Sequence, residues 1–159
     1  MICLIWAMTK EFVIGKNNQI PWHIKEDLIY YKNHTKGKPV LMGEATYFSL
    51  KGYYKTKPLP YGDIYVASLN ESLVLEDAVI VHDVEEFLKN RTEDLWVVGG
   101  ATIYRLSLPY ADRLYISVVK KNYEGDTYFP EVDFSKFQMI WKEDKEEVIY
   151  TLFERVVQL

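Results

Sequence analysis

The stretch LWVVGGATIY, residues 95–104, joins an apolar run to a helix-forming segment through two adjacent glycines. The run Leu95–Gly100 is apolar enough for a strand that is covered on both faces of a sheet. A helix is predicted at Thr102–Leu108, and Pro109 helps to end it. A buried strand, bare backbone and a helix in this order are typical of α/β proteins, so the stretch predicts that fold class.

The same alternation of strands and helices continues along the rest of the chain. Strands are predicted at Met1–Met8, Lys38–Gly43, Asp63–Ser68, Ala78–His82 and Arg113–Lys120, and helices at Lys25–Lys36, Ala45–Leu50 and Val84–Asn90. Ile14–Trp22 is predicted to be a turn-rich loop, Lys51–Gly62 a long connection, and Phe137–Asp144 with Glu147–Val157 a closing hairpin. We therefore expect a mostly parallel twisted sheet whose ligand site lies at the carboxyl ends of the central strands.

Composition restricts the class of protein. The chain has 159 residues, 48% of them hydrophobic, which fits one compact domain with a sizeable core. A formal net charge of −4 argues against nucleic-acid binding, and the apolar opening Ile2–Met8 is too short for a membrane span. The single cysteine, Cys3, excludes an intrachain disulfide, and the three histidines lack metal-ligand spacing. We expect a cytoplasmic protein that binds no metal and no membrane.

Asp27 is the first candidate for chemistry. It lies five residues after Trp22, where the predicted loop enters a helix. One interpretation is an acid that interacts with the helix dipole and does nothing more. The alternative is a carboxylate that faces a pocket and accepts two hydrogen bonds from an amidine-like edge of a heterocycle. Burial would then raise its pKa toward a range useful for proton transfer, and Glu26, expected to face solvent, is its natural control.

Two junctions combine a strand, a glycine and a helix start. They are Gly99–Thr102 and Gly43–Thr46. Either can be explained without a ligand, the first as a tight turn and the second as a helix capped by Thr46. Together, at neighbouring strand ends, they would also suit a pyrophosphate, because bare backbone and free N–H groups can approach it. Neither junction has the spacing of the dinucleotide fingerprint or of the P-loop.

Taken in order, these residues resemble the bacterial dihydrofolate reductases. The resemblance rests on an ordered set of motifs along nearly the whole chain: Ile5-Trp6-Ala7, Val13-Ile14-Gly15, Asn18, Ile20-Pro21-Trp22, Glu26-Asp27-Leu28, Lys38–Gly43, Thr46, Leu59-Pro60, Val98–Ala101, Tyr104, Leu114–Ser117 and Glu124–Thr127. It implies one three-layer α/β domain over residues 1–159: a mostly parallel eight-stranded sheet with helices on both faces and a C-terminal antiparallel hairpin. It also implies a cis peptide at Gly99–Gly100, which is frequent in the family.

The activity implied by the resemblance is reduction of 7,8-dihydrofolate to 5,6,7,8-tetrahydrofolate by hydride transfer from NADPH. The partners implied are dihydrofolate and antifolate inhibitors, bound by a monomer. Asp27 would bind the pterin and promote protonation of the imine nitrogen, and Trp22 would hold an ordered water. The substrate pocket would be lined by Ile5, Trp6, Ala7, Asp27, Leu28, Tyr31, Lys32, Leu50, Leu59, Val98, Tyr104 and Ser117. The cofactor would contact Ala7, Ile14, Gly15, Asn18, Gly43, Ala45, Thr46, Ser68, Leu69, His82, Val98, Gly99, Gly100, Ala101, Thr102, Ile103 and Tyr104, with Ile14–Trp22 as its lid.

The sequence departs from the family pattern at three positions. Gly62 stands where the family usually has an arginine that binds the glutamate carboxylate of the substrate, so we expect Lys32 to take over part of that role. Glu44 and Thr102 stand where basic residues commonly approach the adenosine phosphate of the cofactor. We therefore expect a smaller preference for NADPH over NADH, with Ser68 as the remaining donor to the 2′-phosphate of NADPH and His82 as a local cation.

Two other functions stay open on the residues alone. The first is a reductase of the same fold that acts on another pterin or on a ribosylated pyrimidine. The second is a nucleotide-binding module without catalysis, in which Asp27 is incidental. Dihydrofolate-dependent oxidation of NADPH would separate the second alternative from the reductase.

Overall fold

Ten strands and four α-helices form the part of the chain, residues 1–157, that the computed structural model describes. The strands are β1 (Ile2–Thr9), β2 (Val13–Gly15), β3 (Val40–Gly43), β4 (Ile64–Ala67), β5 (Val79–Val81), β6 (Leu95–Val97), β7 (Arg113–Val119), β8 (Thr127–Tyr128), β9 (Phe137–Asp144) and β10 (Val148–Arg155). The helices are α1 (Lys25–Thr35), α2 (Glu44–Tyr54), α3 (Val84–Lys89) and α4 (Ala101–Ser107).

Eight of these strands form one sheet in the order β5-β4-β3-β6-β1-β7-β10-β9. The pairs from β5 to β7 are parallel, and β10 is antiparallel to both β7 and β9. The carboxyl ends of the parallel strands therefore lie along one edge of the sheet. This arrangement confirms the predicted mostly parallel eight-stranded sheet with its C-terminal antiparallel hairpin.

Alternate residues of the central strands belong to different hydrophobic cores. In β3, Val40 and Met42 pack in a core that includes Tyr47 of α2, whereas Leu41 packs with residues of α3 and α4. Because successive side chains of a strand point to opposite faces, the two cores lie on opposite sides of the sheet. Tyr30 of α1 stacks on Tyr150 of β10 in a third cluster. The predicted placement of helices on both faces is confirmed.

Two predicted ends of helices and strands differ from the structure by three or more residues, and the others differ by no more than two. Helix α2 begins at Glu44 and runs to Tyr54, past the predicted end at Leu50, because Tyr47 and Tyr54 both pack on the sheet. The strand predicted at Leu95–Gly100 ends at Val97. Residues 158 and 159, which belong to the predicted domain, lie outside the described residues.

The predicted loop Ile14–Trp22 also begins as a strand. Residues Val13–Gly15 pair with Thr127–Tyr128 in a small two-stranded antiparallel sheet. The strand Val13–Gly15 lies more than 100 residues before its pairing partner in the sequence. A pairing at that separation leaves no local pattern, so the sequence did not predict it.

Two glycines of contrasting surroundings provide a test of this packing. A Cβ at Gly125 would lie 2.2 Å from Val13 Cγ1 and 2.6 Å from the Gly15 carbonyl oxygen, whereas nothing lies within 4 Å of one at Gly52 in α2. We expect Gly125→Ala to lower the free energy of unfolding by about 1 to 3 kcal/mol. Gly52→Ala should raise it by about 0.5 to 1 kcal/mol, because alanine favours the helix. Urea unfolding measures both changes, and a stabilised Gly125→Ala would contradict the close packing of the small sheet.

Candidate active site

The predicted site lies where the carboxyl ends of β1 and β7 meet α1. In the parallel register, Ala7 pairs with Ser117, and Tyr150 of β10 pairs with the other side of Ser117. Paired residues in adjacent strands direct their side chains to the same face. Ala7 and Tyr150 accordingly belong to one cluster, together with Trp22 from the preceding loop. The strand register therefore assembles one wall of the site.

Asp27 lies in the first turn of α1 and is half-buried. Burial raises the pKa of its carboxyl above the ordinary value of 3.8, and the charge of Glu26 adds to this increase. A hydrogen bond with the Ser117 hydroxyl acts in the opposite direction. Ser117 is itself buried, so its hydroxyl and the carboxyl share a pocket of low polarity. Such a carboxyl retains its proton to higher pH than an exposed aspartate.

Two aromatic residues, Tyr30 and Tyr150, lie near the Asp27 carboxyl. The rings of Tyr30 and Tyr150 stack with centroids 4.1 Å apart, and the Trp22 ring lies 5.5 Å from that of Tyr123. Burial raises the pKa of Tyr30 to about 12, and nearby negative charge including Asp27 contributes. The Tyr150 hydroxyl is buried and has no hydrogen-bond partner among the described residues. Tyr30 and Tyr150 were not predicted as site residues, because their proximity to Asp27 depends on helix packing and strand register.

Three tyrosine hydroxyl groups form hydrogen bonds next to residues predicted to bind the substrate. Tyr31 Oη and Tyr61 Oη are 2.8 Å apart, and burial raises the pKa of both phenols. The Tyr104 hydroxyl donates a hydrogen bond to the Ile5 carbonyl oxygen at 2.7 Å. Tyr61 was missed by sequence reasoning. Its only signal was a bulky aromatic residue beside the unusual Gly62.

The absence of a side chain at Gly62 has a structural reason. A Cβ there would lie 2.8 Å from the Gly37 carbonyl oxygen. Backbone hydrogen bonds from Gly62 to Lys38 and from Gly37 to Pro60 hold the two segments together. An arginine cannot occupy this position without moving the backbone.

The other predicted substrate residues differ in exposure, and one of them, Trp6, lies on the other face of the sheet. Leu28 is 40% exposed on α1, Leu50 is half-buried, and Leu59 and Ile5 are buried. Trp6 lies on the opposite face of β1 from Ala7, since the two are successive residues of a strand. Its ring stacks on Phe129 with centroids 3.7 Å apart and also approaches Tyr104. The Trp6 side chain therefore does not share the Ala7 and Ser117 wall.

The two glycine junctions lie side by side. The Gly43 amide donates to the Gly99 carbonyl oxygen at 2.8 Å, and a Cβ at Gly100 would lie 3.7 Å from Thr46 Oγ1. Gly99 has φ of +124°, which favours glycine, and the Gly99–Gly100 peptide is cis, as the resemblance implied. Neither α2 nor α4 has a side-chain N-cap hydrogen bond. Bare backbone and uncapped N–H groups therefore converge there.

The remaining predicted cofactor residues follow the next strand ends or lie in the lid. Ser68 and the exposed Leu69 come after β4, and His82 comes after β5. Ser68 Oγ donates to Glu44 Oε2 at 2.9 Å. Ile14 and Gly15 lie in β2, and Asn18 follows in a turn closed by the Lys16–Gln19 bridge. The backbone N–H of Asn17 donates to Asp126, which fastens this turn to the segment before β8.

Neither a metal-binding cluster nor a membrane-spanning helix is found among residues 1–157. No group of three or more histidine, cysteine, aspartate or glutamate side chains in this range could hold a metal ion. No helix in this range is long and apolar enough to span a membrane.

Comparison with known proteins connects this arrangement to one family. The family model described as dihydrofolate reductase matches residues 1–155. The dihydrofolate reductase of Bacillus subtilis is 34% identical over 145 residues, covering 90% of this chain and 83% of that protein. That of Buchnera aphidicola is 38% identical over 143 residues, covering 89% and 84%. A solved structure, dihydrofolate reductase from Enterococcus faecalis complexed with NADP(H) and RAB-propyl, has a TM-score of 0.84 at 28% identity, with 98% of this chain and 96% of that chain covered.

The pKa of Asp27 leads to a prediction about stability. As the pH rises above 3.8, an unfolded chain ionises this carboxyl first, so stability falls until the pH passes the raised pKa of the folded protein. Asp27→Asn should therefore raise the free energy of unfolding at pH 7 by on the order of 1 kcal/mol. Urea unfolding should show this gain shrinking as the pH falls toward 4. A gain that is the same at every pH would mean that relief of the charge is not its cause.

Proposed function

This chain belongs to the dihydrofolate reductase family and reduces 7,8-dihydrofolate to 5,6,7,8-tetrahydrofolate with NADPH; we propose that Asp27 promotes the protonation on which this reaction depends. The observation that carries the proposal is the environment of its carboxyl. It is half-buried beside Ser117, and desolvation raises its pKa. A general acid or base works best when its pKa is moved toward the working pH.

Reduction of the imine requires a hydride at carbon and a proton at the neighbouring nitrogen. The bound cofactor supplies the hydride. The Asp27 carboxylate accepts hydrogen bonds from the amino and ring N–H groups of the pterin, which orients the ring and stabilises the protonated form of the substrate. Ser117 donates to the carboxylate and holds its direction. Trp22, buried in one cluster with Ala7 and Tyr150, would hold an ordered water near the carboxylate.

The fit to the cofactor rests on the glycine junctions. A Cβ at Gly43 would lie 3.2 Å from Ile103, so the absence of side chains keeps the strand end open to a close approach. The uncapped N–H groups of α2, an 11-residue helix, suit an anionic group. Thr46 offers a hydroxyl beside Gly100. We assign the pyrophosphate to these residues and the nicotinamide to Ala7, Ile14, Gly15 and Asn18, with Ile14–Trp22 as the lid.

The proposal also covers the cellular compartment, the oligomeric state and the ligands of the enzyme. We expect a cytoplasmic monomer that binds antifolate inhibitors in the Asp27 pocket and does not bind nucleic acid. The net charge of −4 supports the last point. A reducing compartment suits the single cysteine, Cys3, because burial raises the pKa of its thiol to about 12 and keeps it unreactive.

Asp27→Asn tests the central role. The change preserves shape but removes the charge, so turnover at neutral pH should fall about 10²-fold or more, the usual scale of acid and base contributions. Lowering the pH should restore part of the rate, because substrate protonated in solution no longer needs the carboxylate. The measurement is the single-turnover hydride-transfer rate between about pH 5 and 9.

Glu26→Gln is the matched control, since Glu26 adjoins Asp27 in the sequence and is exposed. It should leave the rate at neutral pH nearly unchanged and shift the pH profile only slightly to lower pH, because the charge of Glu26 contributes to the raised pKa of Asp27. Cofactor binding should survive in both variants. A near-wild-type rate for Asp27→Asn at neutral pH would remove Asp27 from the mechanism.

Lys32 is proposed to bind part of the glutamate tail of the substrate. It lies five residues after Asp27 on α1, about 7 Å along the helix axis at roughly 1.5 Å per residue. Lys32→Ala should weaken dihydrofolate binding about 3- to 10-fold while sparing a pterin that lacks the glutamate, as expected for loss of one charge contact made by a half-buried lysine. Fluorescence titration measures both affinities. Lys36→Ala, an exposed lysine past the end of α1, is the control, and equal losses for the two ligands would argue against the assignment.

A further inference from the structure

A connected group of side chains follows three neighbouring parallel strands. Glu44 begins α2 directly after β3, Ser68 follows β4, and His82 follows β5. Ser68 Oγ donates to Glu44 Oε2 at 2.9 Å, and His82 Nδ1 lies 2.9 Å from the Ser68 carbonyl oxygen. The three residues therefore form one hydrogen-bonded trio, which we call the strand-end trio. It extends away from the glycine junctions at the ends of β3 and β6.

The hydroxyl of Ser68 is fully engaged within this trio. Its oxygen accepts a hydrogen bond from the Asn70 N–H at 3.0 Å, and its single proton goes to Glu44. Ser68 is 7% exposed, so it has little freedom to turn toward another acceptor without losing these bonds. If Ser68 donated to an anionic ligand, the Glu44 carboxylate would lose its partner beside a second negative charge. The trio is therefore poorly suited to a phosphate.

The neutral form of His82 also presents an acceptor rather than a donor. A carbonyl oxygen can only accept, so the contact with Ser68 requires the proton to be on Nδ1. In the neutral ring, Nε2 is then an acceptor. Lys51, two turns further along α2, does not compensate, because Asp77 holds its ammonium group at 2.8 Å. Acceptors thus predominate in the trio.

Groups that accept hydrogen bonds match a sugar diol. In nucleotide sites generally, an acidic residue accepts from the ribose 2′-hydroxyl, whereas a cation accommodates a 2′-phosphate. The phosphate carries between one and two negative charges at neutral pH, and a carboxylate beside it is repelled. The pyrophosphate assigned to Gly43 and Thr46 places the next part of the cofactor, the adenosine ribose, toward β4 and β5.

We propose that Glu44, held by Ser68, is a specificity-determining residue that accepts the free ribose diol of the cofactor, so that the enzyme uses NADH as a second hydride donor beside NADPH. This inference rests on the proposed function for the location of the cofactor. It goes beyond that function because it adds a second cofactor and assigns the residue that admits it. Glu44 acts here by binding and takes no part in the chemical step.

Binding of cofactor fragments tests the inference without turnover. Isothermal titration with 5′-AMP and with adenosine 2′,5′-bisphosphate compares a free 2′-hydroxyl with a 2′-phosphate. The wild-type protein should bind the two fragments with affinities within about tenfold of each other. Glu44→Gln should tighten the bisphosphate about 5- to 10-fold and leave 5′-AMP within about twofold, and Glu44→Arg should enlarge the difference further.

Glu85→Gln is the control for net charge, because it removes the same charge from an exposed position on α3 outside the trio. It should leave both affinities unchanged. Equal effects of Glu44→Gln on the two fragments, or no effect, would overturn the role of Glu44.

Kinetics with the whole cofactors separates this inference from the proposed function. Wild-type kcat/KM for NADH should lie within about tenfold of that for NADPH, and a preference for NADPH above about a hundredfold would overturn the inference. Glu44→Arg should shift the ratio toward NADPH. If neither cofactor is oxidised in the presence of dihydrofolate while the fragment affinities follow the pattern above, the proposed function fails and the assignment of Glu44 stands.

Discussion

The parallel pairing of β1 with both of its neighbours is the constraint on which the site depends. Leu4 of this strand pairs with Val97 of β6 and with Leu114 of β7, and all three are fully buried. Burial of apolar strands on both faces supplies the main driving force for this arrangement. Because all these strands run in one direction, the residues after their carboxyl ends meet along one edge. The glycine junctions, the loop predicted to act as a lid and the helix that carries Asp27 all lie at that edge.

The same burial that stabilises the fold also determines the chemistry of the pocket. Ser117 is 2% exposed on β7, and its neighbours across the sheet are small or aromatic, which removes water from the Asp27 carboxyl. Desolvation penalises the charged form, so the site retains a carboxyl whose pKa is raised. The raised pKa lowers the free energy of unfolding at neutral pH, since a half-buried acid stabilises the protein less than a neutral side chain would. Functional sites commonly show such a conflict between stability and activity.

Two of the three positions at which the sequence departs from the family pattern, Gly62 and Glu44, are part of a local structure. Gly62 belongs to a close backbone contact with Gly37, and the neighbouring Tyr61 turns its hydroxyl to Tyr31. Glu44 belongs to a hydrogen-bonded group with Ser68. In both places the altered residue has bonded partners or close neighbours, so a side chain at Gly62 would displace the backbone of Gly37, and a substitution of Glu44 would remove the acceptor of the Ser68 hydroxyl. Specificity at the two ends of the site is therefore a property of small groups of residues.

The alternation of apolar strands with helices determined the fold class, since the periods of strands and helices and the glycine junctions are local signals. Asp27 in the first turn of α1 could likewise be found from the sequence, and the resemblance added the activity. Tertiary structure alone decided that β2 pairs with β8, that Trp6 turns away from the Ala7 wall, and that Tyr150 and Tyr61 join the site. These features depend on register and on contacts between residues far apart in the chain. No local pattern encodes such contacts, because their energy comes from burial against partners that the fold brings near.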